Sequence, residues 1–296
     1  MRRVDLIEMQ PQYGGMRQVG AHRFPSSTQP VLSEDCWVVD EQALFVDVEG
    51  VGLYTMMWTR TDAAGEAGFL PQEGLLNEGM VPEALALCAG FLLTESMIDT
   101  IDDIASLAVC PDAPDVVKVV LVDPSRVRSN RRSGLIASSC GLCGGIDQAA
   151  DLYGGLSRVP ETLCLEPARF EPLMQAMQSC QSVFNLTGGT HAAALFSPQA
   201  VMLACAEDLG RHNAFDKVIG SCLLNRINTA GCVVTLSGRV SLELIVKAAR
   251  AGIEMVGAVS APSSLAIEAA DRLGITLCGF VRNDRLTAFT HPHRLK

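Results

Sequence analysis

The chain has 296 residues, of which 48% are apolar, and carries a formal net charge of -10. This acidic balance argues against nucleic-acid binding through a general basic surface. The first ten residues, MRRVDLIEMQ, include acids and no continuous apolar stretch, so we expect no secretory signal peptide, and no segment reaches membrane length. Eleven cysteines without the features of a short secreted scaffold indicate a reducing, cytoplasmic compartment.

The N-terminal part predicts a small α+β domain. We expect residues 1–33 to form a loosely ordered leader because glycine, proline and serine recur there. The following residues, 34–135, alternate apolar segments with turn-prone ones and predict the smaller domain. Its predicted elements are strands at 37–39, 43–48 and 118–122 and a helix at 81–95.

Residues 151–296 predict a layered α/β domain, because short apolar strands alternate with helices. In LTGGTHAAALF, Gly188 and Gly189 predict a tight turn whose amides face an anion, and Thr190 is a suitable N-cap for an alanine-rich helix. The other predicted elements are strands at 200–206, 232–236, 255–259 and 276–281 and helices at 216–227, 242–251 and 264–273.

The segment SSCGLCGG holds two thiols, Cys140 and Cys143, among serines and glycines that offer little apolar cover. We therefore expect residues 136–150 to form a mobile loop whose sulfur atoms solvent can reach. Nearby cations lower the pKa of a thiol and raise its thiolate fraction. Four arginines precede the pair with no acid among them: Arg126, Arg128, Arg131 and Arg132.

Such a pair suits several chemistries. A structural zinc site needs four ligands, and no second CxxC exists; the other nine cysteines are isolated, mostly in apolar runs, and we interpret them as core residues. We therefore predict no metal site. A thioredoxin-like pair sits at a helix N-terminus, which these glycines disfavour. A loop that carries sulfur as a persulfide fits better, although two idle cysteines are the common outcome for a lone CxxC.

A second motif, AEDLGRHNAFDKVIG, concentrates polar residues between apolar segments, where burial is costly unless they pair. Taken singly, His191 and His212 are best interpreted as structural histidines. Together with the thiol loop they indicate one site. The polar members of the motif are Glu207, Asp208, Arg211, His212, Asn213, Asp216 and Lys217.

With these motifs in order, the chain from about residue 133 to its C-terminus resembles the FdhD family of formate dehydrogenase accessory sulfurtransferases. The matching segments are SSCGLCG, TGGTHAAALF, EDLGRHNAFDKVIG, SGRVSLELIVKAARAGI, VSAPSSLAIE and GFVRNDRLTAFTHPHRL. The resemblance implies a cytidine-deaminase-like architecture for residues 151–296. Deaminase chemistry is not expected, because Ala193 stands where H-x-E needs its glutamate and no cysteine pair follows.

The resemblance implies that a cysteine desulfurase transfers sulfur to Cys140 as a persulfide and that Cys143 assists or resolves it. The implied acceptor, bound as substrate, is the molybdenum bis(molybdopterin guanine dinucleotide) cofactor of the formate dehydrogenase catalytic subunit. The chain would hold no metal of its own and would form a homodimer. The family's cofactor-binding segment corresponds to Phe280, Val281, Arg282, Asn283, Asp284 and Arg285, and we add Gly188, Gly189, His191, Arg211 and His212.

Guanidinium groups bind phosphates with two parallel hydrogen bonds, so the resemblance also favours phosphate contacts for the arginines before the thiols and for Arg294 and Lys296. Two rival functions stay open. A chaperone that delivers the molybdenum cofactor needs the arginines and not the thiols. A dithiol oxidoreductase needs both thiols and no guanine nucleotide.

Overall fold

The computed structural model describes residues 14–24, 31–62, 68–70, 74–75, 81–127, 134–136 and 155–296. These residues form a mixed α/β structure with several sheets. The strands are β1 (Met16–Arg23), β2 (Leu32–Val39), β3 (Gln42–Val48), β4 (Gly52–Trp58), β5 (Gly68–Leu70), β6 (Gly74–Leu75), β7 (Ile104–Cys110), β8 (Ala113–Leu121), β9 (Gly134–Ile136), β10 (His191–Phe196), β11 (Met202–Asp208), β12 (Val233–Leu236), β13 (Met255–Ala258), β14 (Thr276–Arg282) and β15 (Arg285–Ala288). The α-helices are α1 (Glu83–Thr94), α2 (Phe170–Ser179), α3 (Ser182–Thr187), α4 (Arg211–Leu224), α5 (Leu242–Arg250) and α6 (Ser264–Leu273).

The first large sheet has the strand order β6-β5-β7-β8-β3-β4-β9 among the described residues, and β1 pairs with β2 as a separate antiparallel ladder. In β3 the alternate residues Leu44, Val46 and Val48 are buried, as expected for a strand with one face on the core. Strand β9 runs parallel to β4, with Ile136 opposite Met56. The chain therefore leaves both strands in the same direction.

Helix α1 is buried on all sides because it lies against α4 and α5 and also contacts β7 and β8. Two glycines let α1 and α4 approach closely. A Cβ on Gly90 would lie 1.9 Å from the carbonyl oxygen of Asp216, and one on Gly220 would lie 1.8 Å from that of Ala86. The two backbones are therefore in direct contact, and the core of the N-terminal strands continues into the C-terminal half.

The second large sheet has the order β11-β10-β12-β13-β14-β15. Strands β12, β13 and β14 are parallel to one another, whereas β10 is antiparallel to both β11 and β12. On β10, Ala193 and Leu195 face the core that contains α1 and α4. Ala192, Ala194 and Phe196 face a second core that contains α2. Helices thus cover both faces of this sheet.

This layering corrects one prediction. Residues 191–196 form strand β10 and not an alanine-rich helix, because the segment lies between two strands and is buried on both faces. Tertiary packing there overrides the helix preference of alanine. The predicted leader is also wrong in part, since residues 16–23 form β1. Helix 81–95 and the strands at 43–48, 232–236, 255–259 and 276–281 are confirmed within a few residues.

The polar motif AEDLGRHNAFDKVIG is buried, and its charged groups are paired because an unpaired buried charge is costly. Asp208, Asp216 and Lys217 are each at most 2% exposed. The interpretation of nine cysteines as core residues holds for Cys88, Cys222, Cys232 and Cys278. Cys164 and Cys180 are exposed, which contradicts it. No helix in the described part of the chain is both long and apolar enough to cross a membrane.

Candidate functional site

One edge of the second sheet collects most of the predicted site residues. The parallel strands β12, β13 and β14 all end there, and β10 begins there because it runs the opposite way. His191, the first residue of β10, lies opposite Asp208, the last residue of β11. Ligands of open α/β sheets bind at the carboxyl ends of the parallel strands. We call this side the carboxyl edge.

At the carboxyl edge three basic side chains, His191, Arg211 and Arg239, form what we call the cationic cluster. The Nδ1 atom of His191 lies 3.4 Å from the hydroxyl of Ser237, just after β12. A Cβ on Gly238 would lie 3.1 Å from that Nδ1 and 3.6 Å from Cδ of Arg211. The absence of a side chain at this glycine allows the histidine and the arginine to lie side by side.

The electrostatics of the cationic cluster favour an anionic ligand. Burial lowers the pKa of His191, and the positive charges of Arg211 and Arg239 lower it further. Burial and Arg239 also lower the pKa of Arg211, which Glu243 opposes. The Nε of Arg211 is buried and has no hydrogen-bond acceptor among the described residues. A buried donor without an acceptor is costly, so an anion bound here would relieve both the repulsion and the unmet hydrogen bond.

His212 is held beside the cationic cluster by the start of α5. Its Nε2 lies 3.2 Å from the hydroxyl of Ser241 and 3.4 Å from a carboxylate oxygen of Glu243. The imidazole is partly buried and lies in the first turn of α4, next to Arg211. The sequence prediction that His191, Arg211 and His212 belong to one region is consistent with this arrangement.

The carboxylate of Asp208 fixes the start of α4 and thereby the position of Arg211. It accepts hydrogen bonds from the amide of Gly210, at 2.9 Å, and from the side chain of Asn213, at 3.0 Å. It also accepts the amide of Thr59, at 3.1 Å, and pairs with the ammonium of Lys217, at 3.0 Å. Although burial alone lowers the pKa of Lys217, the carboxylates of Asp208 and Glu83 raise it overall.

The segment Phe280 to Arg285 forms a strained hairpin at the same edge. Asn283 and Asp284 have φ values of +52° and +56°, as the two central residues of a type I′ turn require. Phe280 also has a positive φ, +54°, beside a register shift between β14 and β15, and its side chain is 41% exposed. Arg282 and Arg285 face each other across the hairpin and are exposed.

This hairpin lies further along the sheet than the cationic cluster, two strands from β12, which Arg239 follows. Strand β14 lies three strands from β10, which corresponds to about 14 Å at ordinary strand spacing. Val281 is 2% exposed and packs in the second core, so its side chain is unavailable to a ligand. The carboxyl edge therefore offers two separated cationic areas.

Gly188 and Gly189 do form a turn, but their amides already donate hydrogen bonds within the chain. Gly188 has φ +67° and donates to the carbonyl of Phe184, while Gly189 donates to the hydroxyl of Thr187 at 3.1 Å. The prediction that these amides face an anion has no support from this geometry. Gly189 has a packing role instead, because a Cβ there would lie 2.5 Å from a methyl group of Val39.

Cys140 and Cys143 lie outside the described residues, as do Arg128, Arg131 and Arg132. Arg126 is described, and it pairs with Asp99 at 2.7 Å and with Asp103 at 2.9 Å. These two carboxylates offset its charge, and its effect on the thiols stays a prediction because the thiols lie outside the described residues. Arg294 is buried and pairs with Glu254, so the predicted phosphate contact for this residue is wrong.

Sequence reasoning missed the residues that follow β12. Ser237, Gly238 and Arg239 flank His191, and Ser241 and Glu243 hold His212. The signal was present as SGRVS after the apolar run CVVTL, because a strand followed by small residues and an arginine marks a loop at a strand end. In the part of the chain that the structure describes, no group of three or more His, Cys, Asp or Glu residues is arranged to hold a metal ion.

With this geometry established, comparison with known proteins assigns the family. The profile of the FdhD/NarQ family matches residues 79–296, which include every residue of the candidate site. The chain belongs to the FdhD/NarQ family. It is 41% identical over 221 residues to a protein of Nocardia farcinica named sulfur carrier protein FdhD, covering 71% of this chain and 78% of that protein. A protein of Thermoplasma acidophilum with the same name is 38% identical over 240 residues, with 79% and 83% covered.

A crystal structure from Desulfotalea psychrophila, described as a formate dehydrogenase accessory protein, has the same fold. It superposes with a TM-score of 0.69 at 21% sequence identity and covers 96% of this chain and 100% of its own. The predicted mixed α/β fold is therefore confirmed. The boundaries between predicted domains and the cytidine-deaminase-like assignment stay predictions.

Proposed function

We propose that this chain is a sulfur carrier in the maturation of formate dehydrogenase. Cys140 receives sulfane sulfur from a cysteine desulfurase, and the sulfur then passes to the molybdenum bis(molybdopterin guanine dinucleotide) cofactor, which is bound as substrate. Two kinds of relative support the proposal: homologues named sulfur carrier protein FdhD and a structural neighbour described as a formate dehydrogenase accessory protein. The proposed setting is the cytoplasm, with the protein as a homodimer.

The observation that carries the proposal is the direction of β9, the strand that precedes the two thiols in the sequence. Strand β9 runs parallel to β4, and the residue after β4, Thr59, donates its amide to Asp208 opposite His191. Cys140 follows Ile136 by four residues, which span at most about 14 Å when fully extended. Strand β9 therefore points toward the side on which the cationic cluster lies, and Cys140 is within reach of that side.

The cationic areas of the carboxyl edge suit the proposed substrate. At ordinary strand spacing β14 lies about 14 Å from β10 and about 10 Å from β12, so one compact anion cannot bridge His191 and the hairpin with Arg282 and Arg285. An extended ligand with several phosphate groups can. Guanidinium groups bind phosphates with paired hydrogen bonds, and the exposed ring of Phe280 offers a face for a base.

The transfer steps balance as thiol exchange. The Cys140 thiolate attacks the outer sulfur of the desulfurase persulfide; the bond between the two donor sulfurs breaks, and the donor leaves as a thiolate. In the second step the Cys143 thiolate attacks the inner sulfur of the Cys140 persulfide. A disulfide between Cys140 and Cys143 forms, and hydrosulfide leaves for the cofactor. A dithiol reductant then supplies two electrons to restore both thiols.

The test is the intact mass of the protein after incubation with a cysteine desulfurase and cysteine, followed by peptide mapping. We expect the wild type to gain one sulfur atom on the peptide that contains Cys140. Cys164→Ala is the matched control, because it removes an exposed thiol in a different part of the sequence and should keep the gain. A sulfur gain that persists at the same level in Cys140→Ala would contradict the proposal.

A cofactor chaperone without sulfur transfer is the second candidate, because the cationic areas alone would serve it. The two functions differ in their need for the thiols. The chaperone predicts that Cys140→Ala still supports formate dehydrogenase maturation in cells, and the sulfur carrier predicts that it does not.

A further inference from the structure

Two cysteines outside the CxxC segment lie next to each other at the surface of the second sheet. Cys180 follows the last residue of α2 and is exposed, and Cys205 lies in β11 and is partly buried. The two thiols are near enough for each to act electrostatically on the other. Neither residue belongs to the carboxyl edge or to the buried ion pairs, so the proposed function gives them no role.

A bulge in β11 adds a third sulfur to this pair. Ala194 pairs with Cys205 and Phe196 with Met202, and the register shifts between Leu195 and Phe196. Ala194 and Phe196 point to the same face of the sheet because they are two residues apart. Their partners Cys205 and Met202 therefore share that face although they are three residues apart, and both pack at the edge of the core that contains α2.

The one sulfur-to-sulfur distance that the structure gives for these residues fits a shared ion. The Sγ of Cys180 lies 3.9 Å from the Sδ of Met202. Three sulfurs arranged around one metal ion at about 2.3 Å would be about 4 Å apart, which agrees with this distance. Thiolate and thioether ligands select soft ions such as Cu(I). We propose that Cys180, Cys205 and Met202 form a three-sulfur site for a monovalent soft metal ion, with Cu(I) as the ion.

The charge balance of the site is simple. Burial raises the pKa of Cys205, and the neighbouring Cys180 and Glu207 raise it further, so this thiol is protonated in the metal-free protein. Sulfur binds the ion as thiolate, so one Cu(I) ion held by the two thiolates carries a net charge of -1. The thioether contributes a lone pair without a change in charge. No electrons are transferred.

A bound ion would connect the end of α2 to strand β11, and both of these elements lead to the carboxyl edge. Cys205 lies two residues before Glu207, whose carboxylate accepts the amides of Val183 and Phe184 at 2.9 Å each. Cys180 lies just before the same helix, α3. A ligand that binds only the folded form stabilises it by mass action. We therefore expect Cu(I) to protect the segment between α2 and β10 against hydrogen exchange.

The experiment uses the full chain with Cys140→Ser and Cys143→Ser, so that the CxxC thiols do not bind the probe. Cu(I) is supplied anaerobically with a chromogenic chelator as competitor, and bound copper is measured at increasing chelator concentration. Cys180→Ala and Met202→Leu remove one ligand each. Cys164→Ala is the matched control, because it removes an exposed thiol outside the three-sulfur site. Circular dichroism checks that each variant is folded.

We expect about one copper per chain, at least a tenfold loss of affinity in Cys180→Ala and a smaller loss in Met202→Leu, with no change in Cys164→Ala. X-ray absorption should show three sulfur neighbours at about 2.3 Å. Unchanged affinity in Cys180→Ala overturns the proposal. So does a chain that holds no copper because oxygen has oxidised Cys180 and Cys205 to a disulfide before the anaerobic step, with the loss of two hydrogen masses. Because the CxxC is absent from this background, the result does not depend on the proposed sulfur transfer.

Discussion

The motif AEDLGRHNAFDKVIG contributes to two regions with opposite electrostatics. In the interior, Lys217 pairs with Asp208 at 3.0 Å and Lys247 pairs with Asp216 at 2.7 Å, so each buried cation has a carboxylate. At the carboxyl edge, a few residues away, Arg211 and His191 lie beside Arg239, and burial and mutual repulsion lower the pKa of both. The interior pairs stabilise the fold, whereas the excess positive charge at the edge is available to a ligand.

We expect the largest effect from a substitution that removes function and leaves stability nearly unchanged. Cys140→Ala should abolish formate dehydrogenase maturation while changing the free energy of unfolding by less than about 0.5 kcal/mol, because serines and glycines surround this thiol in the sequence. Dehydrogenase activity in a deletion strain and urea unfolding of the purified variant measure the two effects. Normal activity, or a protein that no longer folds, would count against a carrier role for this cysteine.

The next prediction concerns the interior. Lys217→Met should lower the free energy of unfolding by about 3 to 5 kcal/mol, because it leaves the fully buried carboxylate of Asp208 without its cation. The loss of the contact between Nζ and the Trp58 ring, 5.0 Å from its centroid, adds to the effect. Urea denaturation at neutral pH measures it. Arg239→Ala is the matched control: this exposed cation should change stability by less than about 0.5 kcal/mol.

The sequence predicted the two regions with different success. The sequence indicated that the charges of the motif would have to be paired if they were buried, and the buried pairs of Asp208 and Asp216 agree with that expectation. Partners distant in sequence were not predictable. Thr59, which follows β4, lies 149 residues from Asp208, and Thr94 lies 122 residues from Asp216, to which the close crossing of α1 and α4 brings it.

The helix propensity of alanine also led to a wrong prediction for the segment that forms β10. His191 was assigned to a helix because THAAA follows two glycines, but the six residues from His191 to Phe196 complete the sheet between β11 and β12. Only as the first residue of a strand does His191 reach the carboxyl edge beside Ser237. Arg239 was missed for a related reason, since its importance comes from the position of β12 next to β10 and not from its neighbours in the sequence.

We expect a smaller effect when an arginine of the hairpin at the carboxyl edge is removed and ligand binding is measured. GDP, as a probe for the guanine nucleotide end of the cofactor, should bind the wild type, and Arg282→Ala or Arg285→Ala should weaken it. The loss of one charge-assisted contact costs about 1.5 to 3 kcal/mol, or roughly a tenfold to hundredfold loss of affinity. Titration calorimetry measures it. Lys118→Ala, which removes an exposed cation on β8 in the first large sheet, is the control and should bind GDP as the wild type does.

The smallest expected effect is the pH dependence that His191 gives to stability. Its pKa in the folded protein lies below the usual 6.5, because burial and then Arg211 and Arg239 disfavour the charged form. Below pH 6.5 the unfolded chain therefore binds a proton that the folded chain does not, and stability falls as the pH falls from 6.5 toward the folded pKa. Above pH 6.5 this contribution of His191 to stability is fully present.

The variant His191→Gln removes the titrating group and keeps a polar side chain of similar size. We expect the variant to lose less stability than the wild type between about pH 7.5 and pH 5.5, measured by urea unfolding. Equal losses in both proteins would show that the cationic cluster does not hold this imidazole in its neutral form.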